Sequence, residues 1–232
     1  MLYQLAHPIT EQIVGMWQEG KPYLRTSLYT IEANKLPPVN YSEYHLKPHS
    51  ITHAEAPLHV IKNGKDILSF FQSPHFFLGE CLVIRLPGNH YKKLDQGEVY
   101  LWEVTKDELQ QEMNKVLNGK TFAGKILITS EFYPVDENNM HDPNYVLILS
   151  QEAADFLISF ENFHLYGTSW KSSDYKPGSI DRPIHKTLFK KALIVELLNL
   201  KNVPEGIYQY TGVPLPLENA SESPIVPILY HE

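Results

Sequence analysis

His49-Ser50-Ile51-Thr52-His53-Ala54-Glu55-Ala56-Pro57-Leu58-His59 gathers three histidines and a carboxylate, in a chain whose 232 residues hold 11 histidines in all. The intervals from His49 to His53, His53 to Glu55 and Glu55 to His59 are four, two and four residues. All are even, so on a strand the four side chains share one face. A straight strand rises about 3.3 Å per residue, however, and would hold His49 and His53 roughly 13 Å apart, too far for one cation to reach both with bonds of about 2.1 Å. A helix would bring those two together, but Pro48 and Pro57 flank the segment and Glu55 would then point away. The segment must bend, folding its imidazoles and carboxylate around a common point. Two neutral imidazoles plus a carboxylate form the ligand set of a catalytic zinc or manganese ion that keeps one position open for water.

Outward from this cluster the chain reads as α/β. Thr105-Lys106-Asp107-Glu108 is a capping box opening a helix that runs through Leu109, Met113, Val116 and Leu117 to a stop at Gly119. A second helix is expected after Ser150, with Ala153, Ala154, Leu157 and Ile158 as its inward stripe, and a third from Ile184 to Ala192. Short β-branched or aromatic runs predict buried strands at Glu80 to Leu86, Lys125 to Thr129, His164 to Gly167, Leu193 to Leu198 and Ile225 to Tyr230. Residues 133–144 are polar and turn-rich and read as a surface loop. The 17 prolines and 12 glycines are spread evenly, which argues for one domain over residues 1–232.

Composition removes several function classes. The chain is 43% apolar and 20% charged, which fits a folded domain with a full core. A net charge of -7 supplies no general field for nucleic acid or anionic lipid, so neither is expected as a partner. No apolar run approaches the roughly 20 residues of a membrane span, and the N-terminus lacks the pattern of a signal peptide, so a soluble cytoplasmic protein is expected. Cys81 lies in the apolar run Cys81-Leu82-Val83-Ile84 and reads as a small buried hydrophobe. The nucleophile elbow, the Walker loop and the dinucleotide-binding glycine pattern are all absent from the sequence.

The histidine cluster resembles the signature His-x-Gly-Thr-His-x-Asp-x-Pro-x-His of the cyclase family of metal-dependent hydrolases, which includes kynurenine formamidase and isatin hydrolase. The similarity extends through Tyr3 to Ile9, Trp17, Phe77 to Gly88, Leu165 to Asp174, Pro183 to Phe189 and Ile194 to Leu200. It implies the swivelling β/β/α fold and a homo-oligomer, a dimer or tetramer. It also implies that His49, His53 and Glu55 bind one metal, and that Glu55 bridges to a second ion held by His185 and Glu196. One or two divalent ions are therefore expected, zinc first and manganese as the alternative. His59 matches the family's general base, and Trp17 matches a tryptophan bordering the active site. The implied activity is hydrolysis of a small amide, N-formyl amine or cyclic amide by metal-activated water, with a small molecule as the partner. A member that binds metal without turnover, and a cyclase or lyase of polyketide-like or hydroxy-acid substrates, remain as alternatives.

The chain departs from the family pattern at three points. Glu55 stands in place of Asp. Ile51 stands in place of Gly, where a permissive backbone is expected. The interval from His185 to Glu196 is one residue shorter. Phe70, Phe71, Phe76 and Phe77 are expected in a core or subunit interface, or as a pocket lining. His45, His75, His90, His141, His164 and His231 are expected to be structural or exposed.

Overall fold

Thr105 begins its helix as the capping box requires: its hydroxyl accepts the Glu108 N–H at 3.2 Å, and the Glu108 carboxylate accepts the Thr105 N–H at 2.7 Å. Asn118 and Gly119 then stop the helix in left-handed conformations, at φ 44° and 83°. The computed structural model describes all residues except 18–19, 33–34, 96, 137–139, 176–180 and 232. In chain order its elements begin with strands β1 (Leu2–Gln4), β2 (Tyr23–Tyr29), β3 (Tyr41–Leu46), β4 (His53–Glu55), β5 (Leu78–Leu86), β6 (Lys92–Lys93) and β7 (Tyr100–Val104). Helix α1 (Lys106–Leu117) follows, then β8 (Lys125–Ser130), β9 (Tyr145–Leu149), α2 (Gln151–Ser159), β10 (Leu165–Thr168) and α3 (Pro183–Leu188). The last strands are β11 (Leu193–Glu196), β12 (Gly206–Thr211), β13 (Glu222–Pro224) and β14 (Ile228–Tyr230).

Among the described residues, nine strands form one sheet in the order β1-β14-β12-β5-β8-β10-β11-β4-β13. Its centre, β5-β8-β10-β11, is parallel, while the strands on either side pair antiparallel. Parallel neighbours need crossovers, and helices supply them: α1 precedes β8, α2 precedes β10 and α3 precedes β11. The α/β class read from the sequence is borne out. A second sheet, β6-β7-β9, and the separate hairpin β2-β3 complete the described strands.

Alternation divides the sheet's side chains between two cores. Leu82, Ile84, Ile126, Ile128, Tyr166 and Ile194 face α1, α2 and the second sheet, where they meet Leu109, Met113, Leu157, Trp102 and Leu147. Cys81, Val83, Leu127, Leu165 and Val195 face the other way, against Leu5, Phe70, Phe77 and Tyr210. Phe70 and Phe77 thus belong to the second core, with Phe71 and Phe76 packed beside them. None of the four lines the cavity described below. Gly124 enters β8 at φ +95°, and a Cβ there would come within 1.8 Å of the Asn162 carbonyl oxygen, so only glycine fits this close approach.

Three expected boundaries shift. The third helix ends at Leu188, well short of Ala192. β11 stops at Glu196 because Leu197 turns the chain at φ 56°. The strand expected from Ile225 to Tyr230 keeps only its last three residues, since Pro227 has no N–H for the ladder. Within 133–144, residues 137–139 lie outside the described residues, but Pro134 and His141 are buried, so the stretch is more than a surface loop.

Candidate metal centre

The bend required between His49 and His59 comes from two 3-10 turns, Pro48–Ser50 and Pro57–His59, with β4 between them. A proline opens each turn, where its missing N–H costs nothing. The ring centres of His49 and His53 end 4.9 Å apart, far closer than an extended chain allows. Ile51 sits at φ -131° and ψ 170°, ordinary extended backbone. This corrects the expectation that the position needs the freedom of glycine: a β-branched side chain fits there without strain.

Strand β4 lies between β11 and β13. Its register sets His53 opposite Glu196 and Pro224, and Glu55 opposite Ile194 and Glu222. His53, Glu55, Glu196 and Glu222 consequently share one face, the face on which α3 supplies His185. Glu196 is also the last residue of β11, so the cluster lies at the carboxyl end of the parallel strands, where open α/β sheets place their sites.

Glu55 is the hub. Its Oε1 lies 3.3 Å from His49 Nδ1, 3.3 Å from His53 Nε2 and 3.4 Å from His59 Nε2, and its Oε2 lies 3.1 Å from His185 Nε2. Glu196 Oε1 lies 3.5 Å from His185 Nε2 and accepts the backbone N–H and hydroxyl of Ser173 at 2.6 and 2.7 Å. Its Oε2 lies 4.0 Å from His53 Nε2. Glu55, Glu196, His53 and His185 are at most 2% exposed, whereas the side chains of His49 and His59 are 31% and 22% exposed and open outward.

Burial opposes the charge on Glu55, yet hydrogen bonds from His185, His49 and His53 outweigh it and hold the carboxyl well below its usual range. Burial likewise opposes protonation of His185, but Asp174, Glu196 and Glu55 push its pKa well up. His53 rises for the same reasons, through Glu55 and Glu196. His59 goes the other way: burial, with His49 and His185 nearby, outweighs the pull of Glu55 and lowers its pKa.

Two almost fully buried carboxylates facing imidazole nitrogens are costly without positive charge between them. A divalent cation would supply that charge in place of the protons that His185 and His53 otherwise hold, and the nitrogen and oxygen donors suit zinc or manganese. The donor atoms gather into two groups, His49-Glu55-His59 and His53-Glu55-Glu196, each within 4.8 Å of one another. The residues therefore fit a metal, with Glu55 common to both groups. The sequence-predicted residues all converge here, although the distances divide them differently from the two sets implied by the resemblance.

The centre opens into a cavity of ≈ 440 Å³ whose lining includes Trp17 and His45. Four cavity or supporting residues were not singled out in the sequence. Asp174 Oδ2 lies 2.6 Å from His185 Nδ1 and orients that ring. Glu222 lies 3.7 Å from His49 Nε2. Lys171 and Arg182 reach the cavity wall. Asp174 and Lys171 stand in the stretch Leu165 to Asp174 that carries part of the resemblance, but no local pattern marks a residue whose partner lies 11 positions further on.

Comparison with known proteins adds to this geometry. A kynurenine formamidase of Paracidovorax citrulli is 27% identical over 197 residues, covering 83% of this chain and 80% of the relative. One from Polaromonas naphthalenivorans is 30% identical over 193 residues, covering 83% and 75%. Isatin hydrolase A of Ralstonia solanacearum shares the fold, with a TM-score of 0.71 at 20% identity over 100% of this chain and 92% of that one. The sequence pattern of the Cyclase family matches residues 3–175, and the chain belongs to that family.

Proposed function

We propose that the chain is a metal-dependent hydrolase that cleaves the C–N bond of a small amide, an N-formyl amine or a cyclic amide. The observation that carries this reading is the Glu55 carboxylate with four imidazoles within 3.1 to 3.4 Å, buried at the end of an open cavity. The names of the related kynurenine formamidases and of isatin hydrolase support amide cleavage over cyclisation or simple metal storage.

His49, His53, Glu55, His185 and Glu196 would hold one or two ions, zinc as first choice and manganese as the alternative. When bound, such an ion lowers the pKa of water and polarises a carbonyl oxygen. His59, on the open side of the cluster, takes the proton of the attacking water and returns it to the leaving nitrogen. The water oxygen joins the carbonyl carbon, the C–N bond breaks, and the products are an acid and an amine. Trp17 offers an aromatic wall to the substrate. The working form is a homodimer or homotetramer, for which the exposed Leu24, Leu28, Tyr29 and Tyr44 of the β2-β3 hairpin are the support. The compartment is the cytoplasm, where the single buried thiol of Cys81 needs no oxidising environment.

The test is metal content per chain, on protein purified without added metal or chelator, together with formamide turnover. One or two equivalents of zinc or manganese, lost in His53→Ala, and release of amine from aryl formamides are expected. Wild-type protein that takes up no metal after reconstitution would overturn the reading.

A further inference from the structure

A second group of basic side chains lies at the amino end of the parallel strands, away from the His/Glu centre. Lys125 is the first residue of β8 and pairs with Leu165 of β10, and His164 immediately precedes that strand. Glu196 stands at the opposite, carboxyl end of the same parallel set.

Alternation along β8 sends the Lys125 side chain to the face of Leu127, towards the second core. Only 3% of the residue is exposed. Its ammonium reaches towards β5, where a Cβ on Gly79 would lie 3.6 Å from Nζ. Gly79 adopts φ +114°, a conformation that calls for glycine, so no side chain closes over the ammonium from that position.

A buried ammonium is costly unless a carboxylate or several acceptors surround it. Among the described residues Lys125 has neither an ion pair nor a hydrogen bond. The thiol of Cys81 beside it is neutral, because burial pushes its pKa up. Glu80 alternates to the other face of β5 and is exposed. Burial therefore lowers the Lys125 pKa, and no carboxylate restores it. Nζ is not one of the fully enclosed unpaired atoms, so it opens to solvent.

Two imidazoles accompany this opening. The His164 N–H donates to the Gly124 carbonyl at 2.7 Å, which ties the residue beside Lys125. Its half-buried ring lies 4.4 Å, centre to centre, from that of the exposed His75, and Phe76 packs 5.5 Å away. Burial, His75 and Lys125 all lower the His164 pKa, as expected where basic groups meet without an acid between them.

We propose that Lys125, His75 and His164 bind a phosphate group, free or carried by a small monoester, at the amino end of the sheet. Lysine meets phosphate as a point charge with three donors, whereas a carboxylate is better matched by the planar fork of arginine. Each neutral imidazole adds one N–H donor. Bound phosphate supplies the charge that the buried ammonium lacks, and it stabilises the native chain by mass action. The site is separate from the His/Glu centre and does not depend on the hydrolase reading.

Calorimetric titration of the metal-loaded protein with inorganic phosphate and with glycerol 2-phosphate tests this, with melting temperatures followed in parallel and chloride at equal ionic strength as the control. One phosphate per chain is expected, and a melting temperature that rises with phosphate but not with chloride. Tighter binding of the ester would assign the site to a carried phosphate, and tighter binding of the inorganic ion to the free one. Lys125→Met is expected to weaken binding at least about tenfold, yet to melt no lower than wild type without phosphate, because it removes an unpaired buried charge. Phosphate can also bind a metal ion, so His53→Ala is titrated too and is expected to keep the site. Binding lost in His53→Ala but intact in Lys125→Met would place the phosphate on the metal centre and overturn the proposal. Where Lys125→Met does not fold, the exposed position decides: unchanged affinity in His75→Asn overturns the site, as does wild-type protein that chloride stabilises as much as phosphate.

Discussion

Asp174 holds His185 twice through one oxygen: Oδ2 lies 2.6 Å from the ring Nδ1 and accepts the residue's own backbone N–H at 2.8 Å. With Nδ1 protonated toward Asp174, Nε2 is left to face Glu55 at 3.1 Å. A carboxylate that fixes tautomer and ring orientation in this way strengthens a ligating imidazole. Asp174→Asn is expected to weaken metal affinity about 10-fold to 100-fold. Competition with a chromophoric chelator measures this, and unchanged affinity would refute an orienting role.

Glu55 touches four imidazoles, whereas His185 touches Glu55 and Glu196 from one side. Removing the shared carboxylate should therefore cost more than removing one ring. Glu55→Ala is expected to abolish metal binding, and His185→Ala to reduce it to a partial equivalent. Elemental analysis of the two purified variants decides, and small equal losses would count against the centre.

His59 occupies the open side of the cluster, with its Nε2 3.4 Å from Glu55. His59→Asn is expected to lower kcat by about two to four orders of magnitude through loss of proton transfer, while metal content stays at the wild-type level. Should metal and activity disappear together, His59 acts as a ligand and the proton acceptor must be sought elsewhere.

Two other histidines govern acid stability. Burial lowers the pKa of His7 to about 4 and that of His141 to about 3. Unfolded, both titrate near 6.5. Between those values the unfolded chain binds protons that the native chain refuses, so stability rises with pH up to about 6.5 and is lost as pH falls below it. Each contributes about 2 kcal/mol of loss between pH 7 and pH 5. Urea midpoints at the two pH values are expected to converge in His141→Leu relative to wild type. An identical pH dependence in both proteins would show that His141 is not the group responsible.

Those parts of the fold with local chemical punctuation were legible. The Thr105 capping box and the Ser150 cap sit next to the residues they bind, and β5, β8 and β10 are apolar enough to announce burial. The bent histidine segment was legible because even spacing, two prolines and the reach of one cation leave few alternatives. Strand β9 was missed because Val146 to Leu149 runs directly into the Ser150 cap, and a short apolar run does not separate strand from helix. Strands β2 and β3 were missed because their side chains are mostly exposed and no buried face imposes an alternation. Asp174 and Glu222 were missed for a different reason, since turns and strand register bring them to the centre from distant positions.

The placement of β4 between β11 and β13 has a consequence for folding. Side chains in a strand alternate, so a slip of β4 by one residue against its neighbours would turn His53 and Glu55 away from Glu196 and Glu222 together. Ala54 would replace them and could hold nothing. A misregistered sheet would therefore lack the centre entirely, and a cation that binds only the aligned arrangement selects the correct pairing by mass action. Correct pairing of β4 and cation binding would then be one linked equilibrium, set before any substrate is met.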